Sequence, residues 1–313
     1  MTARPDLAAP PGLPARAARR SPHSLLRQDR RFGYLLAAPV VLVLLAITAY
    51  PLFYNVWNSF HHVDYLAPPL GGFAGLSNYA KLFTDHQFVP ALVHTAGFTV
   101  VSVSVETVIG LALAVALSKR FRGRGIVRAA SFIPWAVPTV VSAELWKTMF
   151  DPQQGFVNYV LGQLHLPLAS TTWLDNTWTA WAAILIADDW RNIPFMAIVL
   201  LAGLQVIPND LYEAASVDGA SKLQQFWRIT LPLLRPAILV TLIFRTLDAL
   251  RVFDVFQVFF GYRLNAQTMA VYTQSTTVND GHVGYGAAMS VAIFLIISLF
   301  VVIYVTFMRV TEE

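Results

Sequence analysis

Six stretches of this 313-residue chain are apolar and long enough to cross a bilayer, which takes about 20 residues as a helix. They lie near Gly33 to Trp57, Leu92 to Leu117, Ala129 to Phe150, Trp178 to Ile207, Leu233 to Phe260 and Tyr285 to Met308. A soluble domain cannot bury that much apolar helix. Hydrophobic residues make up 56% of the chain and charged residues 13%. The expected fold is an all-α integral membrane protein with six transmembrane helices, since a lone segment in lipid satisfies its backbone only as a helix.

The charges set the orientation. Sixteen of the 22 Lys and Arg residues fall into four places: Arg4 to Arg31, Lys119 to Arg128, the trio Lys222, Arg228 and Arg235, and Arg309. The opposite connections hold Lys81 and Arg263. Basic residues collect on the cytoplasmic side, so both termini and the segment 208–232 are expected in the cytoplasm. The same pattern accounts for the basic excess without a nucleic-acid partner. Residues 1–31, rich in Arg, Pro and Ala, read as a disordered cytoplasmic tail. Residues 32–90 read as the first helix with an external segment around Pro68-Pro69-Leu-Gly71-Gly72, and residues 91–307 as a five-helix core. The first apolar run is too long for a cleaved signal. No cysteine is present and the seven histidines are scattered, so no metal is expected.

Between the fourth and fifth apolar runs the chain turns polar. Asp210 and Glu213 have capping-box spacing, Gly219 is a helix stop, Ser221 and Gln224 repeat the box, and Leu231-Pro232 reads as a second stop. Two short helices hinged at a glycine would present a knob to a soluble partner.

Ionisable residues inside a span are costly and normally face a cavity or one another. Glu144 and Lys147, Asp188 and Arg191, and Asp248 and Arg251 are each three apart and would meet on a helix face. Arg245, Asp248, Arg251 and Asp254 continue at intervals of three along the fifth run. Trp190 and Asn192 crowd Asp188, Asp189 and Arg191 before Pro194, where the backbone is expected to open, and Trp146, Phe253 and Gln257 add rings and an amide. Rings, carboxylates, guanidinium groups and amides are the mixture that holds a carbohydrate. Glu144, Asp188, Trp190, Arg191, Asn192, Asp248, Arg251, Asp254 and Gln257 are the candidate pathway residues.

The pattern Glu213-Ala214-Ala215-x3-Gly219-x9-Ile229-x-Leu231-Pro232 resembles the signature of permease subunits of bacterial ATP-binding-cassette importers. Trp190-Arg-Asn-Ile-Pro-Phe195, Phe244-Arg-Thr-Leu-Asp-Ala-Leu-Arg-Val-Phe-Asp254 and Gly284-Tyr-Gly-Ala-Ala-Met-Ser290 are similar to sugar permeases, in particular the first permease of trehalose- or maltose-type systems. The chain departs from many of these at Phe260-Gly-Tyr-Arg-Leu-Asn265, where they carry a Thr-x-Gly-Gly-Pro-like turn. The resemblance implies a type I importer transmembrane domain in the bacterial cytoplasmic membrane. Glu213, Ala214, Ala215, Asp218 and Gly219 would dock an ATPase. The implied partners are a second permease subunit, two nucleotide-binding subunits and an extracytoplasmic solute-binding protein. This chain lacks a phosphate-binding G-x-x-x-x-G-K-[ST] loop, so ATP and Mg would be used by the ATPase partner, with no cofactor bound here.

Other classes fit less well. Val283-Gly-Tyr-Gly286 matches the core of a potassium filter, but the preceding Thr277-Val-Asn-Asp-Gly281 is turn-like and no span carries a voltage-sensing Arg array. A secondary transporter would show inverted repeats. An intramembrane enzyme would need a nucleophile turn or zinc motif, and neither occurs.

Overall fold

The computed structural model describes residues 22–65, 72–119, 121–261 and 266–312, with backbone alone at 22–31, 305 and 307–312. Most of the tail expected at 1–31, the Pro68-Pro69 turn and most of the Phe260–Asn265 departure lie outside the described residues. In chain order the helices are α1 (Pro22–Ser59), α2 (Ser77–Thr84), α3 (Phe88–Ser118), α4 (Arg124–Ser131), α5 (Ile133–Ala136), α6 (Thr139–Met149) and α7 (Phe156–Gln163). They continue as α8 (Thr177–Val206), α9 (Asn209–Val217), α10 (Lys222–Gln225), α11 (Leu231–Ala249), α12 (Asp254–Phe260), α13 (Met269–Gln274) and α14 (Val283–Glu312). Backbone contacts divide the chain into Met1–Tyr54 and Asn55–Glu313. In the first unit the described side chains of α1, from Phe32 to Tyr54, are exposed almost without exception. A helix apolar on every side is one solvated by lipid.

Among the described residues four helices are long and apolar enough to cross a membrane, and six spans result if each of two bent pairs counts as one. The third expected span is such a pair: α4–α5 meets α6 at 93°, because Pro138 has no N–H to donate and Val137 before it is extended. The fourth, α8, is a continuous helix straight through Pro194, so the expected opening there does not occur. The fifth is shorter than expected. α11 stops at Ala249, Leu250 to Phe253 form a turn, and α12 restarts at Asp254. No glycine or proline marks the break. The Thr268 hydroxyl donates to the Val252 carbonyl across 2.9 Å and Lys147 Nζ to the Val258 carbonyl across 2.7 Å, so distant elements take up backbone groups around the break.

The core of the second unit is built on α3 against α8. Small residues bring these helices close: Ala114, Ala183, Ala187 and Ala197 are buried, and a Cβ on Gly110 would lie 2.7 Å from Met196 Cβ. Phe98, Phe150, Ile184, Val255 and Phe256 fill the adjacent cluster, with Phe98 edge-on to Phe256 at 5.1 Å. The segment after α1 pairs with the start of α14. Gly284 N–H donates to Val63 O and Tyr65 N–H to Gly281 O, both at 2.9 Å, while Asn78 Nδ2 donates to the Ser59 and His61 carbonyls. Gly110→Val should force α3 and α8 apart and cost about 1–3 kcal/mol of stability, read as a lowered thermal midpoint of the purified protein in detergent.

Candidate functional site

The polar segment after α8 folds as an elbow. Pro208 starts α9 at an angle of 69° to α8. The capping box expected from Asp210 and Glu213 is not formed, because the helix begins earlier, with Pro208 at the N-cap; Asp210 sits in the first turn, where its charge faces the positive helix end. Gly219 ends α9 with φ +79°, its N–H on Ser216 O and the Ala220 N–H on Ala215 O, the paired closure that a left-handed residue permits. Ser221 and Gln224 then form the expected capping box at α10. Leu231-Pro232 does not close that helix. A π-helical stretch, Phe226–Thr230, carries α10 into α11, so one 28-residue helix runs from Lys222 to Ala249. Tyr212 OH bonds Thr230 Oγ1 at 3.0 Å and Gln225 Nε2 donates to Ser216 Oγ at 2.9 Å, which holds α9 against α10. Glu213, Ala214, Asp218 and Gly219 remain exposed, and Ala215 is half-buried.

Inside the core, the expected pairs Glu144–Lys147, Asp188–Arg191 and Asp248–Arg251 are not made, whereas Arg245 and Asp248, three apart in the same series, do pair. Lys147 goes to the Val258 carbonyl, Arg191 to the Val137 carbonyl and Asn192 Oδ1, and Arg251, just past α11, to the Leu247 carbonyl of that helix. The centre is Arg245 of α11. Its Nε meets Glu106 Oε2 of α3 at 2.5 Å, its Nη2 meets Asp188 of α8, and its Nη1 meets Asp248 at 3.0 Å. Ser102 Oγ lies within 3.3 Å of Glu106, Asp188 and Asp189 and accepts from Arg245 Nη2. Glu106 is fully buried and Arg245 nearly so. Glu106 escapes spacing arguments, since its partners lie on α8 and α11; its one signal is being the lone acid in the second apolar run. The carboxylates of Glu106, Asp188 and Asp189 fall within 4.8 Å of one another, the spacing of a metal site, but the Arg245 guanidinium stands among them.

The remaining candidates divide. Asp188 and Asn192 are buried with the Arg245 cluster, Asp248 reaches it from a largely exposed position, Arg251 is exposed in the turn, and Asp254 opens α12. Glu144 and Gln257 instead line a cavity of about 730 Å³ with Lys147, Phe150, Asp151 and Phe260. Trp146 stacks on Phe150 and meets Trp190 edge-on at 5.8 Å. Among the described residues Trp146 Nε1 and Gln257 Oε1 are buried without hydrogen-bond partners, a donor and an acceptor unspent. Outside the spans, sequence spacing also missed Asp85. Burial pushes its carboxyl up, but hydrogen bonds from Tyr285, the Gln87 and Phe88 N–H groups and Tyr272 together hold it below its usual value. Its support for the N-terminal end of α3 is therefore present at neutral pH and lost as pH falls through that lowered value. Arg245→Met should cost about 3–5 kcal/mol by leaving carboxylates buried without their cation, while Arg245→Met with Glu106→Gln and Asp188→Asn should recover much of the yield of folded protein from membranes.

The sequence model of the family described as the binding-protein-dependent transport system inner membrane component matches residues 106–312. The chain is 41% identical to the trehalose/maltose transport system permease protein MalF of Thermococcus litoralis, covering 88% of this chain and 93% of the relative. It is 36% identical to the trehalose transport system permease protein SugA of Mycobacterium tuberculosis, covering 88% of each. A chain in the crystal structure of a bacterial ABC transporter that imports the acidic polysaccharide alginate has the same fold, with a TM-score of 0.79 at 22% identity over 92% of this chain and 99% of that one. An all-α, multi-pass chain with the type I importer fold and a matching sequence over two thirds of its length belongs to the family of inner membrane components of binding-protein-dependent transport systems, as a permease and not an enzyme.

Proposed function

We propose that this chain is the permease subunit of an ATP-driven sugar importer, forming half of a translocation pathway for a disaccharide of the trehalose or maltose type. The observation that carries the coupling role is the elbow: an exposed Glu213 on α9, a left-handed hinge at Gly219, and α10 running on without interruption into a membrane helix. A soluble ATPase gripping that knob would move the helix with it. The named activities of the relatives, together with the rings and unspent polar atoms around Trp146, Glu144 and Gln257, favour a sugar as cargo.

In this reading the other parts are a second permease subunit, two nucleotide-binding subunits that use ATP and Mg, and an extracytoplasmic solute-binding protein. The membrane is the bacterial cytoplasmic membrane with both termini in the cytoplasm. Residues 91–307 are the permease core, and 32–90 the added helix and external segment. Glu213, Ala214, Ala215, Asp218 and Gly219 serve coupling. Glu144, Trp190, Arg191, Asp248, Arg251, Asp254 and Gln257 border the pathway, and Asp188 and Asn192 act from the buried cluster behind it.

Glu213→Lys should leave the assembled complex in the membrane and abolish sugar-stimulated ATP turnover; normal stimulated turnover in that variant overturns the coupling role. Gln257→Leu should lower sugar uptake at unchanged complex yield, whereas unchanged uptake removes the cavity from the pathway. For orientation, the reporters must be exposed. Gln154 and Arg122 meet that condition. A cysteine at Gln154 should be labelled by an impermeant thiol reagent from outside intact cells and one at Arg122 should not; the reverse pattern inverts the topology.

A further inference from the structure

A second cavity, also about 730 Å³, lies where α3 and α8 end and α10 begins, and it is unlike the one at Gln257. Lys119, Arg124, Arg128 and Lys222 line it, and among the described residues that line it none is acidic. Four cations gathered in one hollow repel one another, most directly Arg124 and Arg128, which stand one turn apart on α4. Two of the four are already occupied. Arg128 clasps the Leu117 carbonyl through Nε and Nη2, and Lys222 Nζ donates to Gln225 Oε1. The side chains of Lys119 and Arg124 have no hydrogen-bond or ion-pair partner among the described residues, so their side-chain donors are free for a ligand. Tyr212, from the elbow, lines the same space, with its hydroxyl on Thr230 Oγ1.

We infer that this cavity binds a phosphate-bearing anion, supplied by the headgroup of an anionic phospholipid. Phosphate offers the dense negative charge and multiple acceptor oxygens that Lys and Arg donors match. Lipid is the favoured source because the cavity lies at the common end of three membrane helices and its lining includes the apolar Val115, Leu204 and Phe226, against which the start of an acyl chain would lie. The volume is that of an ordinary small-ligand site. An anion seated among Lys119 at the end of α3, Arg124 on α4 and Tyr212 on α9 would tie the elbow to α3 and α4.

The site stands on geometry and not on the coupling role of α9, so its test uses the assembled transporter without ATP. Ser118 lines the cavity, and the chain has no cysteine, so Ser118→Cys places one thiol at the site. Labelling by an uncharged maleimide is timed in nanodiscs of phosphatidylcholine, of phosphatidylcholine with phosphatidylglycerol, and of phosphatidylcholine with added inorganic phosphate. Arg122→Cys, outside the cavity, reports the general effect of lipid charge. Phosphatidylglycerol should slow labelling at Ser118→Cys but not at Arg122→Cys. Each cation is worth roughly fivefold in affinity for an anionic surface, so Lys119→Gln with Arg124→Gln should raise the phosphatidylglycerol needed for protection roughly 25-fold. Protection by inorganic phosphate at equal strength supports the phosphate site and assigns it to a soluble anion. Equal labelling in all three nanodiscs, or protection unchanged in the double variant, overturns the inference.

Discussion

The packing of this protein depends on one guanidinium. Arg245 is the point at which α3, α8 and α11 are joined by charge inside the membrane core, through Glu106, Asp188 and Asp248. In lipid, apolar surface gives helices little reason to choose one another, since tails solvate Leu as well as another helix does. Small residues such as Gly110 allow α3 and α8 to approach, but shape alone leaves register open. A buried cation with acids on two neighbouring helices sets it, because a slip of one turn would strand charges that cost several kcal/mol each to leave unpaired. Ser102 adds the hydrogen bonding that the excess of carboxylate oxygens requires.

That arrangement also shows why spacing along one helix was a poor guide to the ion pairs. Acid and base three residues apart can meet on a helix surface, yet such local pairs are worth only about 0.2–0.5 kcal/mol. Asp188 had a buried partner available across the interface and took it, leaving Arg191 to cap a carbonyl at the broken third span. Charges distribute themselves by where desolvation is most costly, and that is decided by tertiary packing.

The elbow was more legible because its determinants are local. Gly219 stops α9 through its left-handed backbone, and Ser221 with Gln224 starts α10, both within a few residues of sequence. Six apolar runs likewise foretold the spans to within a few residues at α3 and α8. Breaks were harder to read. Pro194 reads as an opening and Pro232 as a stop, but a helix in a membrane that has lost one N–H still has no better way to satisfy the rest, so the chain continues, at Pro232 just after a π turn. The third span does break at Pro138, but the break in the fifth, between Ala249 and Asp254, carries no glycine or proline and coincides with side chains from elsewhere, Thr268 and Lys147, bonding to carbonyls in and beyond it. Such partners are invisible until the fold brings them together.

The continuity at Pro232 has a mechanical consequence. Because the helix from Lys222 to Ala249 is unbroken, its 28 residues form a rod of about 42 Å at 1.5 Å per residue. One end is fastened to the elbow through Gln225 and Thr230, and the other carries Arg245 and Asp248 and ends at the turn before α12. Two closed helical segments with a loop at Leu231-Pro232 would have absorbed a push at Glu213 locally. A rod passes it on to the buried charge cluster, and the π turn at Phe226–Thr230 is the place along it where the hydrogen-bond register is already relaxed. In the proposed importer, the helix that receives the ATPase stroke is thus the same helix that locks the core, which makes the strength of the Arg245 pairing a term in how far the stroke is felt across the membrane.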